Sequence, residues 1–236
     1  MNLLLLEPAD FIAEHTALIS DWRFEHCRDT LKTRAGDNLT VGLLNGLTGR
    51  ALCQQIDARQ MQLHINQLDG TPPPSLPLLL VLALPRPNML KRIVHNIAEL
   101  GVKQLHLIHS QRVEKSYWQS PVLQNDKLQA QLKLGLMQAK DTILPDIYMH
   151  TRFRPFVEDT LPLLSNGRNA FMAHPGGSQA LLPGCEQRLL MIGPEGGFTS
   201  HEVALVKQQG VQIVTMGQRI YRVENALTLL CGLSSP

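Results

Sequence analysis

The sequence lacks the motifs of several common enzyme and membrane classes. The 236-residue chain has no run of 18 or more apolar residues, so no candidate membrane-spanning helix is present. No G-x-G-x-x-G follows a predicted strand and no G-x-x-x-x-G-K-[S/T] occurs, which argues against an ordinary dinucleotide site and a P-loop site. The run Leu3–Leu6 is short and lacks a basic flank, so we expect no export signal and a cytoplasmic protein.

Metal and redox motifs are also missing. The four cysteines form no C-x-x-C pair, so a zinc ribbon is not supported. We interpret all four as buried structural thiols: Cys27, Cys53, Cys185 and Cys231. His106 and His109 lie three residues apart in a predicted strand, where they point to opposite faces. We therefore predict that the chain holds no metal.

The formal net charge of +2 is unevenly distributed along the chain. Residues 1–75 carry a net charge of −3, whereas residues 76–236 carry +5. A basic C-terminal part is compatible with a polyanionic partner, although many enzymes show a comparable imbalance.

The first seventy residues have the pattern of short β-strands. Apolar and polar residues alternate over 39–43 and again over 61–65, and an Asn-Gly turn signal lies between these stretches. This pattern predicts a small β-barrel domain over residues 1–70. The proline-rich segment 71–77 cannot continue a strand or a helix and is predicted to be a stiff linker.

Residues 78–236 alternate between strand and helix patterns, which predicts an α/β domain. The continuous apolar run 78–84 indicates a strand covered on both faces, and we expect Asn88 to cap the helix that follows. Three predicted strands end in glycine-containing loops, at His174, Gly193 and Gly217. Open α/β sheets bind ligands at such strand ends, so we predict the active centre there.

The turn at 193–197 reads Gly-Pro-Glu-Gly-Gly. Pro194 biases Gly193 toward an extended conformation, and the paired glycines permit positive φ and close approach of a ligand to the backbone. This turn would hold Glu195 at the edge of the sheet. A tight strand-to-helix connection without any ligand explains the glycines equally well.

The loop after Gly217 leads into a helix with apolar residues at 223, 226, 227 and 230. This spacing leaves Arg222 and Glu224 off the apolar stripe, beside the loop. Arginine is unfavourable at a helix N-terminus because of the helix dipole, so we predict that Arg222 faces a ligand. For Glu224, stabilisation of its own helix is an equally good interpretation.

Together, the segments 192–198 and 217–226 closely resemble the RsmE family, S-adenosylmethionine (SAM) enzymes that methylate N3 of a uridine in 16S ribosomal RNA. Residues 98–102, Ser110 with Arg112, and His26 with Gly36-Asp37 are similar to further family motifs, so the resemblance covers nearly the whole chain. It implies a SPOUT-type, trefoil-knotted parallel sheet with helices on both faces over 78–236. It also implies a PUA-like RNA-binding barrel before the linker, and a homodimer.

The reaction and the resemblance suggest roles for individual residues. N3 of uracil carries a proton, so either a base must remove it or a positive group must stabilise the anion. Arg222 is the candidate positive group, and Glu195 or Glu224 the candidate carboxylate. By the resemblance, SAM is expected to be enclosed by loop residues: His174, Gly193, Gly196, Gly197, Met216, Gly217, Ile220 and Tyr221.

Contacts with ribosomal RNA or the small ribosomal subunit are expected from basic residues in both parts of the chain. In residues 22–28 aromatic and basic side chains are interleaved, as stacking and phosphate contact require, although an amphipathic helix with surface arginines has the same pattern. The candidate RNA-binding residues are Arg23, Arg28, Lys32, Arg34, Arg112 and Arg219. For Arg219, a contact with a phosphate or between subunits is as good an interpretation as a role in the chemistry.

Two other functions fit the residues. One is a SPOUT-fold RNA-binding protein with a different ribosomal RNA target or without turnover, which departures from the family pattern at Tyr221, Asn225 and 137–141 would permit. The other is a small-molecule α/β enzyme with a phosphate site at Gly176-Gly177.

Overall fold

The computed structural model describes residues 1–235, and the chain divides into two compact units. Unit 1 comprises Met1–Pro74 together with Lys133–Leu144, and unit 2 comprises Ser75–Leu132 together with the chain from Pro145 onward. The sequence-based division placed 133–144 in the C-terminal domain, so this segment is assigned differently by the structure. Residues 71–77 contain neither strand nor helix, as the proline content indicates.

Unit 1 is built on a six-stranded sheet with the order β1-β4-β5-β6-β3-β2. The pair β1 and β4 is parallel and the other pairs are antiparallel. Its elements are β1 (Leu4–Leu6), β2 (Phe11–Ala13), β3 (Thr16–Ile19), α1 (Trp22–Asp29), β4 (Asn38–Leu43), β5 (Thr48–Ile56) and β6 (Met61–Gly70). The alternation predicted over 61–65 is observed, because Met61, Leu63 and Ile65 are buried in the core of this unit.

Hydrogen bonds explain why residues 133–144 belong to unit 1. The backbone N–H of Asn2 donates to the carbonyl of Met137 at 3.0 Å, and that of Asn45 donates to the carbonyl of Thr142 at 2.8 Å. The Lys133 ammonium lies 2.7 Å from a carboxylate oxygen of Glu7. A later segment of the chain therefore completes the N-terminal unit.

Unit 2 contains a seven-stranded parallel sheet with the order β11-β13-β10-β12-β7-β8-β9. Its strands are β7 (Leu78–Ala83), β8 (Gln104–Ile108), β9 (Asp146–His150), β10 (Asn169–Ala173), β11 (Gln179–Ala180), β12 (Arg188–Ile192) and β13 (Gln212–Thr215). Every residue of the central strands β7 and β12 is buried, as expected where a parallel sheet is covered on both faces. The prediction of an α/β fold with a parallel sheet is confirmed.

The helices after the linker are α2 (Pro87–Glu99), α3 (Asn125–Ala139), α4 (Phe153–Pro155), α5 (Leu161–Ser165), α6 (Ser200–Gln208) and α7 (Val223–Gly232). A π-helical turn, Phe156–Thr160, joins α4 to α5. The expectation that Asn88 caps α2 is wrong: Arg86 occupies the N-cap and Pro87 the first helical position, where its fixed φ suits the helix. Within residues 1–235, no helix combines the length and apolar character that crossing a bilayer requires.

Candidate active site

Three loops at the carboxyl ends of β10, β12 and β13 line a cavity of about 470 Å³. These strands are neighbours in the sheet and run parallel, so their carboxyl ends lie at one edge. Loops that lie as much as 43 residues apart in the chain, at His174 and Gly217, therefore meet around one volume. This is the arrangement that the sequence predicted.

The turn after β12 has the backbone geometry that its glycines suggested. Gly197 has φ +69°, and its N–H donates to the carbonyl of Pro194 at 2.7 Å. A side chain at Gly193 would come within 3.1 Å of the Phe198 ring, so glycine allows Phe198 to pack closely against the turn. Thr199 then begins α6 with the predicted capping box, in which its hydroxyl accepts from the Glu202 N–H.

The loop after β13 supplies the opposite wall. Gly217 has φ +96°, and the Thr215 hydroxyl accepts a hydrogen bond from its N–H at 3.2 Å. Ile220 is 81% exposed and Tyr221 36% exposed at the cavity, which leaves two large apolar side chains at its entrance. Val223 and Ala226 of α7 contribute a buried apolar surface.

Two of the three predicted catalytic residues line the cavity. Arg222 is the exposed N-cap residue of α7, and its side chain has no hydrogen-bond or ion-pair partner among residues 1–235. Glu195 also lines the cavity, and its Oε1 lies 4.0 Å from Nε of Arg86. Glu224 does not line the cavity: it is half-buried on α7, with a shielded Oε2 that lacks a partner in the described chain.

All eight residues predicted to enclose SAM line this cavity: His174, Gly193, Gly196, Gly197, Met216, Gly217, Ile220 and Tyr221. His174 is fixed by its own loop, because its Nδ1 accepts from the Gly176 N–H at 3.0 Å. Sequence reasoning missed the apolar wall formed by Ile192 and Phe198. Both residues could have been predicted from the sequence, because each directly flanks the glycine-rich turn.

The predicted RNA-binding residues occupy different environments. Arg219 is exposed and lines the cavity. Arg112 is also exposed, but its guanidinium donates to the backbone carbonyl of Gly196. In unit 1, Lys32 and Arg34 are exposed, and the half-buried Arg28 pairs with the adjacent Asp29 at 2.7 Å.

The prediction that Arg23 contacts RNA is wrong. The residue is only 7% exposed, and its guanidinium forms ion pairs with Asp10 at 2.7 Å and Asp21 at 2.8 Å. It also donates to the carbonyl of Leu5 at 2.7 Å. Burial alone would lower the pKa of Arg23, but hydrogen bonds and charge from the two carboxylates raise it overall. Arg23 therefore stabilises unit 1.

A chain of hydrogen bonds links Gln104, His106 and His150 in unit 2. The Gln104 amide nitrogen, which can only donate, lies 3.0 Å from Nε2 of His106, so His106 carries its proton on Nδ1. That Nδ1 lies 2.9 Å from Nε2 of His150. Burial, with the nearby charges of His150 and Arg168, lowers the pKa of His106 to about 4. The His106 ring is therefore neutral at pH 7, and burial lowers the pKa of His150 as well.

No group of three or more metal-ligating side chains is assembled in the part of the chain that the structure describes. His109 is engaged elsewhere, since its Nδ1 accepts from the indole N–H of Trp118 at 3.0 Å.

Three of the four cysteines are buried and one is not. Burial raises the pKa of Cys27 to about 11 and that of Cys231 to about 12, so both are inert thiols at pH 7. Cys53 is buried as well. The interpretation of Cys185 as a buried thiol is wrong, because it lies exposed in the loop before β12.

A protein family and several named proteins are similar to this chain over most of its length. The model of a family described as "RNA methyltransferase domain" matches residues 72–235. A protein of Treponema pallidum named "Ribosomal RNA small subunit methyltransferase E" is 29% identical, with 99% of this chain and 90% of the relative aligned. A protein of the same name from Synechocystis is 28% identical, with 97% of this chain and 76% of the relative aligned.

Solved structures share the fold. The ribosomal RNA small subunit methyltransferase E of Neisseria gonorrhoeae, described as bound to S-adenosyl methionine, gives a TM-score of 0.76 at 19% identity over 98% of this chain and 95% of that chain. A Legionella pneumophila protein, described as a "putative methyltransferase" in complex with SAM, gives 0.76 at 18% identity over the same shares.

Proposed function

Because this chain belongs to the RNA methyltransferase domain family, we propose that it transfers a methyl group from SAM to N3 of a uridine in 16S ribosomal RNA. The resemblance to the RsmE family is confirmed by relatives of that name that align with as much as 99% of the chain. The observation that carries the proposal is the convergence of three glycine-containing loops on one cavity of about 470 Å³.

The residues of the cavity fit SAM. Its volume lies within the range of small-molecule sites, about 300 to 1,000 Å³. Apolar side chains from Ile192, Phe198 and Val223 can accept the adenine ring, and backbone groups of the loops can bind its polar edges. Gly197 leaves the backbone open to a ligand, because no atom lies closer than 4.0 Å to the position of a Cβ there. When bound, SAM would supply an electrophilic methyl group on its sulfonium.

Arg222 is the residue that we propose to assist proton loss from N3 of the target uracil. It has no partner among residues 1–235, and it stands at the N-terminus of α7, where the helix dipole already disfavours a cation. An anionic ligand would offset the unfavourable position of this cation at the helix N-terminus. The uracil anion that forms when N3 loses its proton is such a ligand, and the guanidinium would stabilise it.

As the base that accepts the proton from N3 we favour the carboxylate of Glu195 over that of Glu224, because only Glu195 lines the cavity. Its neighbour Arg86, at 4.0 Å, would hold the carboxylate at the rim. The exposed ring of Tyr221 lies at the same entrance and is suited to stack on a single-stranded base.

We further propose the trefoil knot and the PUA-like, RNA-binding role of unit 1 that the resemblance implies. Hydrogen bonds from the Gly184 N–H and the Arg188 guanidinium to the carbonyl of Leu233, both at 3.0 Å, support a C-terminal helix held within the loop before β12. The exposed Lys32 and Arg34 support RNA contact by unit 1.

We propose the cytoplasm as the location, because ribosomal RNA is available there. We also propose that the chain forms a homodimer. Support for the dimer comes from large apolar side chains near the C-terminus. Leu229 of α7 is 46% exposed, and Leu182, in the loop between β11 and β12, is 71% exposed. Exposed apolar surface of this kind is common at protein interfaces.

The function can be tested by mass spectrometry of nucleosides from small-subunit ribosomal RNA. Cells that lack the protein should lose N3-methyluridine, and the intact chain should restore it. The same chain with Arg222→Ala should not restore N3-methyluridine, although this variant should still bind SAM in calorimetry. Unchanged N3-methyluridine in the deleted cells would refute the proposal. Binding of SAM and RNA by the intact chain without methylation would favour an RNA-binding protein.

A further inference from the structure

We propose that Arg112 is a positioning residue that holds the glycine-rich turn 193–197 in the conformation that binds SAM. The inference rests on the proposed function, since it concerns the same cavity. It differs from the role that the sequence suggested for Arg112, which was contact with RNA. Three independent features of the structure support it.

The first feature is the contact itself. The Arg112 guanidinium donates to the carbonyl of Gly196, which lies 84 residues away in the chain. A charged donor on a backbone carbonyl forms a stronger hydrogen bond than a neutral donor does. The Arg112 side chain is therefore directed to the turn, although it lies at the surface.

The second feature concerns Gly196. Gly197 needs glycine because its φ is +69°, but Gly196 does not have a positive φ. A Cβ at Gly196 would instead come within 3.1 Å of Cδ and 3.4 Å of Cβ of Arg112. A Cβ at Gly196 would therefore crowd the aliphatic part of the Arg112 side chain, which packs over this glycine, and we call the two residues a matched pair.

The third feature is the anchoring of the Arg112 backbone. The backbone N–H of Gln111, the residue before Arg112, donates to Oε1 of Glu202 at 2.7 Å. The other carboxylate oxygen of Glu202 accepts from the Thr199 N–H at 2.8 Å, at the end of the glycine-rich segment. Glu202 is 4% exposed, and Ser110 and Val113 on either side of Arg112 are buried. The loop after β8 and the turn after β12 are thus joined through a buried carboxylate and through Arg112.

The test compares three full-length variants with the unmodified chain. Arg112→Ala should raise the dissociation constant for SAM, measured by calorimetry, roughly tenfold, as expected for loss of a charged hydrogen bond. Arg112→Lys should be intermediate, because lysine keeps the charge but loses the planar fork. The control, Arg154→Ala, removes another exposed arginine of unit 2, which pairs with Glu158, and should leave SAM affinity unchanged.

Hydrogen exchange of the chain without SAM gives a readout independent of catalysis. Arg112→Ala should speed exchange of the Gly197 amide, which donates to the Pro194 carbonyl, and the capping-box amides of α6 should remain protected. In steady-state methylation the same variant should raise KM for SAM and leave kcat within about a factor of two, because no group that touches the reacting atoms is lost.

A double-mutant cycle tests the matched pair. Gly196→Ala should weaken SAM binding in the unmodified chain, but clearly less in the Arg112→Ala background, since the clashing side chain is then absent. Additive effects of the two changes would contradict the pairing.

SAM affinity of Arg112→Ala equal to that of the unmodified chain would overturn the proposal. The alternative, a contact between Arg112 and an RNA phosphate, is tested by measuring RNA binding at two salt concentrations. Loss of that contact in Arg112→Ala should reduce the slope of log affinity against log salt concentration by about one. Failure of the unmodified chain to bind SAM at all would instead refute the proposed function, so the two failures are distinguishable.

Discussion

At the scale of single residues, Arg222 has an unusual position: it is a cation without a partner among residues 1–235 at the N-terminus of a helix. If it stabilises charge that develops during methyl transfer, Arg222→Ala should lower kcat by about 10²- to 10³-fold, the range found for loss of one such group. Affinity for SAM should change little, because SAM itself carries a positive sulfonium. Single-turnover methylation and calorimetry measure the two quantities. A loss confined to SAM binding would contradict this role.

His106 predicts a pH dependence of stability. Its pKa is about 4 in the fold because of burial, against 6.5 for an ordinary histidine, so the unfolded chain binds more protons between these values. Its stabilising contribution is complete above pH 6.5 and is lost as pH falls toward 4. His106→Phe should therefore reduce the difference in free energy of unfolding between pH 7 and pH 5, as measured by urea denaturation. An identical difference in the variant would show that His106 is not responsible.

Single residues also show where the sequence is least informative. The stretch 22–28 suggested surface arginines because aromatic and basic types alternate there, yet Arg23 is buried against Asp10. The sequence suggested that Arg112 contacts RNA, but its guanidinium donates to the backbone carbonyl of Gly196. Both contacts depend on distances between segments, which neither spacing nor residue type reveals.

At the scale of elements, the glycine-rich turn is the most constrained segment. Gly197→Ala should cost about 1 kcal/mol of stability, since L-residues are disfavoured at its φ of +69°. It should also weaken SAM binding, because the turn lines the cavity.

Gly210→Ala is a matched control for that change. Gly210 has φ +81° after α6 and does not line the cavity, so the same strain should lower thermal stability without changing SAM affinity. Equal effects on SAM binding at both positions would show that the turn at 193–197 has no special role.

Helix α7 makes a prediction about assembly. If its exposed face forms the proposed dimer interface, Leu229→Asp should shift the chain to monomers, as measured by light scattering, because a carboxylate would be buried without a partner. Leu163→Asp is the control, since Leu163 is 76% exposed on α5. A dimer that resists Leu229→Asp would place the interface elsewhere.

The sequence predicted elements well where local chemistry determines them. Thr199 and Glu202 form the capping box that the T-x-x-E pattern indicated, and β9 has the predicted bounds Asp146–His150. The N-terminus of α2 was misplaced because Asn88 is a good cap in general, whereas Pro87 at the first helical position moves the cap to Arg86.

At the scale of the whole molecule, unit 1 uses two separate parts of the chain. Residues 1–74 alone lack the segment 133–144, which supplies the contacts of Lys133 with Glu7 and of Thr142 with Asn45. A fragment 1–74 should therefore unfold at a lower temperature than a fusion of 1–74 to 133–144 through a flexible linker. Circular dichroism melting measures both. Equal melting temperatures would show that the segment contributes nothing to unit 1.

The division into units could be predicted only in part. The prolines of 71–77 mark the first boundary, since they exclude regular structure. The return of 133–144 to unit 1 could not be read from the sequence, because the helical pattern of 126–140 continues without a break across Leu132. Periodicity identifies a helix but does not say which neighbours its two halves have.

The two-part construction of unit 1 also has a consequence for biosynthesis. A nascent chain emerges from its N-terminus, and domains made of one continuous segment can fold as soon as that segment is released. Here the first unit remains incomplete until Leu144 has left the exit tunnel, by which time the first strands of the second unit have also emerged. Unit 1 can therefore be completed only after β7 and β8 of unit 2 have emerged, but before β9 to β13 have done so.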